Sequence, residues 1–123
     1  NIFIDLVEIG LIDAFFALPW EIHTTDMIIH ELKVPDEKAK VVVYCSSGRL
    51  HVKGYTSLEM SKLMSFYSLQ RQNARVSVPD CSVWLYAKEN DYTLLTEDGR
   101  LRSAAAKMGV DVHGIFYVIG QTG

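Results

Sequence analysis

Short apolar runs alternate along this chain with segments whose apolar residues recur at helical spacing. The opening stretch, 1–18, is apolar nearly throughout, and its periodicity does not decide between strand and helix for its first half. Elsewhere the pattern predicts strands at 21–24, 50–55, 92–96 and 110–112. It predicts helices at 25–32, 36–45, 56–69, 77–87 and 98–109, followed by an apolar tail at 114–119. This alternation favours an α/β fold with parallel strands and right-handed crossovers.

Length and composition are typical of a single packed domain. With 123 residues, of which 49% are hydrophobic, we expect one domain spanning 1–123. The net charge of −3 argues against a polybasic coat for nucleic acid or membrane, but leaves room for a local basic strip. No apolar run approaches the roughly 18 residues of a membrane span, so we expect a soluble protein without a membrane partner. Cys45 and Cys81 lack C-x-x-C spacing, and reduced thiols favour a cytoplasmic location.

Three carboxylates lie where an apolar stripe or a strand end is expected. Glu31 shares a helix side with apolar residues three and four positions before it, and Asp80 with apolar residues three, four and seven positions after it. Asp98 comes directly after an apolar strand, at the sheet edge where ligands collect in parallel α/β folds. Carboxylates brought together repel one another, and a divalent cation is the usual resolution. The three acids therefore suggest a metal site.

Each of these acids also has a purely structural interpretation. Asp80 stands three residues after Ser77, which is capping-box spacing, and Asp98 can cap the helix that it precedes. Glu31 can be a solvated residue near a helix end, paired with Lys33. The four histidines lack the spacing of a zinc motif, and surface or core roles are favoured for all of them: His23, His30, His51 and His113.

The order and spacing of these residues resemble a PIN domain over nearly the whole chain. The most specific part is VPDCSVWLYAKENDYTLLTEDGRLRSAAAKMGVDVHG, which is similar to the family's acid-bearing helix, strand, second acid and following helix. HTTDMIIHEL resembles the helix with another family acid, and NIFIDL resembles the segment directly after the family's first acid. The resemblance implies a three-layer α/β/α fold around a central parallel sheet. It matches Glu31, Asp80 and Asp98 to three of the four family acids.

At its start the chain departs from the family pattern. Asn1 matches the Asn of the family's opening D-x-N motif, so the first Asp would fall two residues earlier, on a central strand. Neither that Asp nor the strand is in this sequence. We expect a PIN-like domain truncated at its N-terminus, because deleting a central strand would expose two strand edges. Loss of one catalytic acid is the alternative.

The implied activity is that of a Mg²⁺- or Mn²⁺-dependent endoribonuclease. On the resemblance, Glu31, Asp80 and Asp98 hold the metal and act in catalysis, with Asn1 and Thr96 in supporting roles. Basic residues on the last long helix can meet RNA phosphates, although a solvated helix face is an equal alternative for them: Arg100, Arg102 and Lys107. The implied partners are an RNA substrate, an antitoxin protein if the chain is a toxin, and a second copy in a homodimer.

Two other classes of function remain open. A non-catalytic PIN-like interaction domain would keep the fold without the full acid set, and an Asp two residues before Asn1 would argue against it. A receiver-like phospho-acceptor domain is also a parallel α/β fold of this size with clustered acids. It requires a paired Asp dyad after the first strand and a Lys after the last, and neither is found convincingly.

Overall fold

A computed structural model describes residues 1–122, so the last position of the predicted domain 1–123 lies outside the described residues. Eight helices and four strands are described in this part of the chain: α1 Ile2–Glu8, α2 Ile12–Phe16, β1 Ile22–Thr25, α3 Asp26–His30, α4 Pro35–Ser46, β2 Leu50–Lys53, α5 Ser57–Gln70, α6 Val78–Asn90, β3 Leu94–Leu95, α7 Gly99–Lys107, β4 Val112–His113 and α8 Ile115–Thr122. The prediction of a mixed α/β fold is confirmed.

The strands form two separate parallel pairs. β1 pairs with β2 in a register that sets His23 opposite His51, and β3 pairs with β4. Parallel pairing is therefore confirmed. The expected central sheet is not continuous among residues 1–122, since no hydrogen-bonded strand joins β1 to β3.

The undecided opening stretch is helical. The Asn1 side chain caps α1 by accepting from the Phe3 backbone N–H at 3.1 Å. Gly10 then takes a positive φ of 74°, a conformation that favours glycine, and separates α1 from α2. Phe3, Phe15 and Phe16 pack their rings together beneath these helices.

Both predicted capping boxes are confirmed. They open α5 with Thr56 and Glu59, and α6 with Ser77 and Asp80. Thr25, in contrast, makes no capping hydrogen bond to α3. Its buried hydroxyl lies 2.7 Å from the hydroxyl of Ser82, to which it donates because the Ser82 hydroxyl itself donates to the Pro79 carbonyl at 2.6 Å. The start of α3 is thus joined to the start of α6.

The last strand, the apolar tail and helix α5 show details that the sequence pattern does not give. The last strand spans Val112–His113, whereas 110–112 was predicted. The apolar tail forms the helix α8. In α5, the apolar residues Leu58 and Met64 are 83% and 41% exposed. Leu63 is fully buried, because the helix presents only a narrow apolar side to α6.

The core consists of two clusters of buried side chains. One is built mainly from α1 to β2 and is completed by Val118 of α8, and the other from α5 to α7 with Trp84 at its centre. Val83 packs against both clusters and so links them. Among residues 1–122, no helix combines the length and the apolar character needed to cross a membrane.

Candidate functional site

A cavity of about 460 Å³ lies between the two strand pairs. β1 lines one side through Ile22, His23 and Thr24, and β3 lines the other through Leu94 and Leu95. Within residues 1–122, β1 pairs only with β2 and β3 only with β4, so the two edges that border this space carry no strand partner. We call this space the central cavity.

Asp80 is the predicted metal-site acid that lines the central cavity. It is half-buried in the first turn of α6, where its Oδ2 accepts from the Ser77 backbone N–H at 3.1 Å. The Asp80 backbone N–H donates in turn to the Ser77 hydroxyl at 3.2 Å. Among residues 1–122, no Lys, Arg or His forms a salt bridge with Asp80. The carboxylate is held by its helix and is free of a competing cation from these residues.

Thr96 and Asp98 are arranged by the turn after β3. Thr96 is 8% exposed, lines the central cavity and accepts from the Asp98 backbone N–H at 3.1 Å. Asp98 is exposed, and its Oδ1 accepts from the backbone N–H groups of Arg100 and Leu101 at 2.9 and 3.3 Å. Asp98 is therefore the N-cap of α7, which fits its structural interpretation, while its Oδ2 accepts no hydrogen bond from residues 1–122.

Asn1 contacts α3, and Glu31 lies at its C-terminal end. Asn1 lines the central cavity, and its Nδ2 donates to the Ile28 carbonyl at 3.0 Å, which ties α1 to α3. Glu31 is half-buried at the C-cap of α3 and forms no salt bridge with residues 1–122, so the predicted pairing with Lys33 is not formed. Because α3 packs on α6, Glu31 and Asp80 belong to neighbouring helices.

The structure thus brings together only part of the predicted set. Asn1, Asp80 and Thr96 share the wall of the central cavity, whereas Glu31 and Asp98 do not line it. Within residues 1–122, the three acids do not form a group whose ligand atoms all lie within 4.8 Å of one another. Their role in binding metal stays a prediction.

The predicted phosphate-binding residues are on α7. Arg100 and Lys107 are exposed, and Arg102 is half-buried with a guanidinium nitrogen 3.8 Å from a Glu97 carboxylate oxygen. Arg100 lies two residues after Asp98, so its charge is at the same end of the helix as that acid. Lys107 lies in the last turn, at the opposite end.

The electrostatic effect of Asp80 is visible on its neighbour. Cys81 is fully buried, and burial together with the Asp80 charge raises the pKa of the Cys81 thiol to about 12. At neutral pH this thiol is protonated and unreactive, which excludes it as a nucleophile at the site. Cys45 and Cys81 are both free.

One group of side chains that could hold a metal ion was not predicted from the sequence. Glu21, His23 and His51 offer one ligand atom each, all within 4.8 Å of one another. His23 and His51 are 28 positions apart along the chain and become neighbours through the β1–β2 register. No motif spacing could have revealed them, since only strand pairing brings the two rings together.

The comparison with known families agrees with the resemblance noted from the sequence. A family model described as a PIN domain matches residues 1–122. No curated protein matches the chain. PIN domains are generally nucleases, typically dependent on divalent metal ions, and they generally bind RNA. The match covers every residue that the structure describes, and the chain therefore belongs to the PIN domain family.

Proposed function

We propose that the protein is a Mg²⁺- or Mn²⁺-dependent endoribonuclease that hydrolyses RNA phosphodiester bonds at a metal site formed by Glu31, Asp80 and Asp98. The observation that carries this proposal is the position of Asp80, a carboxylate on the cavity wall beside Asn1 and Thr96 with no salt-bridge partner in residues 1–122. A carboxylate without a salt-bridge partner next to a cavity is a typical ligand for a hard cation.

The donor chemistry fits such a cation. Glu31, Asp80 and Asp98 supply carboxylate oxygens, and Thr96 supplies a hydroxyl, which are the ligand types that Mg²⁺ and Mn²⁺ prefer. When bound, a divalent ion supplies positive charge next to the phosphoryl oxygens and lowers the pKa of bound water. We assign Glu31, Asp80 and Asp98 as the residues that would hold it.

The remaining residues have positioning roles. Asn1 links α1 to α3 through the Ile28 carbonyl, and so sets the helix that leads to Glu31. The Thr96 hydroxyl accepts from the Asp98 backbone and orients the turn that carries this acid. Arg100, Arg102 and Lys107 contact the RNA backbone. Arg100 is exposed near Asp98 and is best placed for this, while the proximity of Arg102 to Glu97 reduces its availability.

The proposal includes a strand in the central cavity. The unpaired edges of β1 and β3 both border this space, and a parallel strand inserted there would join the two pairs into one central sheet between helical layers. Such a strand would satisfy the backbone groups of both edges. By the family pattern it would carry the fourth acid, two positions before Asn1.

The biological setting is also part of the proposal. We infer a cytoplasmic ribonuclease, either a toxin kept inactive by an antitoxin that covers the acids or an RNA-processing enzyme, and assembly as a homodimer. A second candidate is a non-catalytic PIN-like interaction domain. It is favoured by the capping roles of Asp80 and Asp98, since both acids already serve to stabilise helices.

The test is cleavage of end-labelled RNA by the full-length protein. We expect cleavage with Mn²⁺ or Mg²⁺, none in excess EDTA, and recovery when Mn²⁺ is restored. Glu31→Gln should remove activity, while the matched change Glu8→Gln, at an exposed position on α1, should leave it intact. Cleavage that persists in EDTA would overturn the mechanism, and metal binding without any cleavage would favour the interaction domain.

A further inference from the structure

His23 lies on β1 and His51 on β2, and Glu21 and His23 line the central cavity, as Asp80 also does. His23 and His51 are directly opposite in the parallel register, and their ring centroids are 4.7 Å apart with 26° between the ring planes. Glu21 precedes β1, and its Oε1 lies 2.8 Å from Nε2 of His23. The three ligand atoms converge within 4.8 Å.

His23 is held in place by its other ring nitrogen. Its Nδ1 lies 2.9 Å from the Tyr86 hydroxyl of α6, and its side chain is only 15% exposed. A tyrosine hydroxyl can donate or accept, so both neutral tautomers of His23 are satisfied at Nδ1. When the Tyr86 hydroxyl donates to Nδ1, Nε2–H donates to the Glu21 carboxylate; when Nδ1–H donates to Tyr86, the Nε2 lone pair faces that carboxylate and a cation can take the place of the proton. A metal ion can occupy that place, and the Tyr86 hydrogen bond is the kind of contact that orients metal-binding histidines.

We propose that Glu21, His23 and His51 bind one transition-metal ion of the Zn²⁺ class. Two imidazoles and one carboxylate suit Zn²⁺, Ni²⁺ or Cu²⁺, whereas Mg²⁺ prefers oxygen ligands alone. Three protein ligands leave a fourth position open to water, as in many zinc sites. Zinc bonds of about 2.0–2.2 Å require neighbouring ligand atoms roughly 3.3 Å apart. Glu21, with a side chain 72% exposed, has the freedom to move back by the half ångström or so that this needs.

The site would act as a clamp on the wall of the central cavity. β1 contributes Ile22 and Thr24 to that wall and continues directly into α3, which leads to Glu31. An ion shared by β1 and β2 would fix this pair against α6 through Tyr86. Bound Zn²⁺ should therefore raise the melting temperature, because it binds the folded state and not the unfolded chain. The inference does not depend on RNA cleavage.

Calorimetric titration of the untagged protein with Zn²⁺, in excess Mg²⁺ that occupies oxygen-only sites, tests this inference. We expect one Zn²⁺ per chain and a higher melting temperature. His51→Ala removes an exposed ligand and should weaken binding at least tenfold while the circular dichroism spectrum is unchanged. Glu21→Gln should also weaken it. The matched control His30→Ala, at another exposed histidine, should bind like the unaltered protein.

Asp80→Asn separates this site from the proposed nuclease centre. We expect it to keep full Zn²⁺ binding whether or not it abolishes cleavage. The inference is overturned if the unaltered protein binds no Zn²⁺ under these conditions, or if His51→Ala binds as tightly as the unaltered protein. It is equally overturned if Asp80→Asn loses the ion while His51→Ala retains it, since the ion would then lie at the acids.

Discussion

The capping boxes of α5 and α6 are the same local motif in two different surroundings. In each, a hydroxyl residue accepts from the backbone N–H three positions later, and the acid at that position accepts from the backbone of the first residue. Thr56 with Glu59 and Ser77 with Asp80 therefore satisfy the same helix donors. The difference lies in the other groups that each acid meets.

Glu59 has a cationic partner. Lys53, at the end of β2, donates to its carboxylate, and this contact with the Thr56 hydrogen bonds lowers the pKa of Glu59 to about 2. The charge of Glu59 is thus already compensated by the protein. Nothing in this arrangement calls for a metal ion.

Asp80 has no such partner in residues 1–122. It lies on the wall of the central cavity, next to buried Cys81, whose thiol pKa its charge helps to raise. A half-buried carboxylate without a compensating cation is energetically unfavourable unless an ion or solvent reaches it. The two acids therefore share their capping geometry and differ in the nearest charge.

The largest expected effect is on RNA cleavage. We expect Asp80→Asn to lower kcat by about 100-fold or more, because losing one electrostatic contact at a reaction centre typically removes about 10²–10³ in rate. Asn keeps an oxygen that accepts from Ser77, so the unfolding free energy should change by only a few tenths of a kcal/mol. Glu59→Gln, the matched change in the other box, should leave cleavage unaltered. Equal cleavage by the Asp80 and Glu59 variants would remove the distinction between the two boxes.

A smaller effect is expected on stability, and it should be the same in both boxes. Ser77→Ala and Thr56→Ala each delete a capping hydroxyl and should lower the free energy of unfolding by about 1 kcal/mol in urea denaturation. If Ser77→Ala reduced cleavage as much as Asp80→Asn, the box geometry rather than the Asp80 charge would be the feature that the reaction needs. If the two losses of unfolding free energy differed greatly, the surroundings of each helix would also determine how much its cap stabilises the protein.

The smallest expected effect is a pH dependence confined to the α5 box. The pKa of Glu59 is about 2 in the folded protein and near 4.5 when unfolded, so the folded state favours the charged form. Its contribution is fully present above pH 4.5 and is lost as pH falls from there towards 2. Acid denaturation of Glu59→Gln should therefore lack this part of the pH dependence. If the unaltered protein and Glu59→Gln lost stability in the same way with falling pH, the lowered pKa of Glu59 would be contradicted.

Much of the fold was predictable because its causes are local. The capping boxes at Thr56 and Ser77 and the Asp98 cap depend on residues within three positions, and the structure confirms them. Alternating apolar runs likewise predicted parallel strands. The opening stretch could not be assigned, since a segment that is apolar on all sides lacks the periodicity that separates helix from strand. In α5 the sequence does not show that Leu58 is exposed, because only the contact with α6 determines which apolar residues are covered.

The candidate sites also have one part that local sequence predicts and another that depends on tertiary contacts. The sequence by itself determined that Asp80 lies in the first turn of a helix and that Asp98 comes after a strand, and its resemblance to PIN domains matched these two acids and Glu31 to family acids. Only the tertiary structure decided that Asp80 faces a cavity without a cation while Glu59 meets Lys53. It also decided that His23 and His51 meet at all. Hydrogen bonds within a helix turn are encoded by adjacent residues, whereas contacts between strands depend on a register that the whole fold must establish.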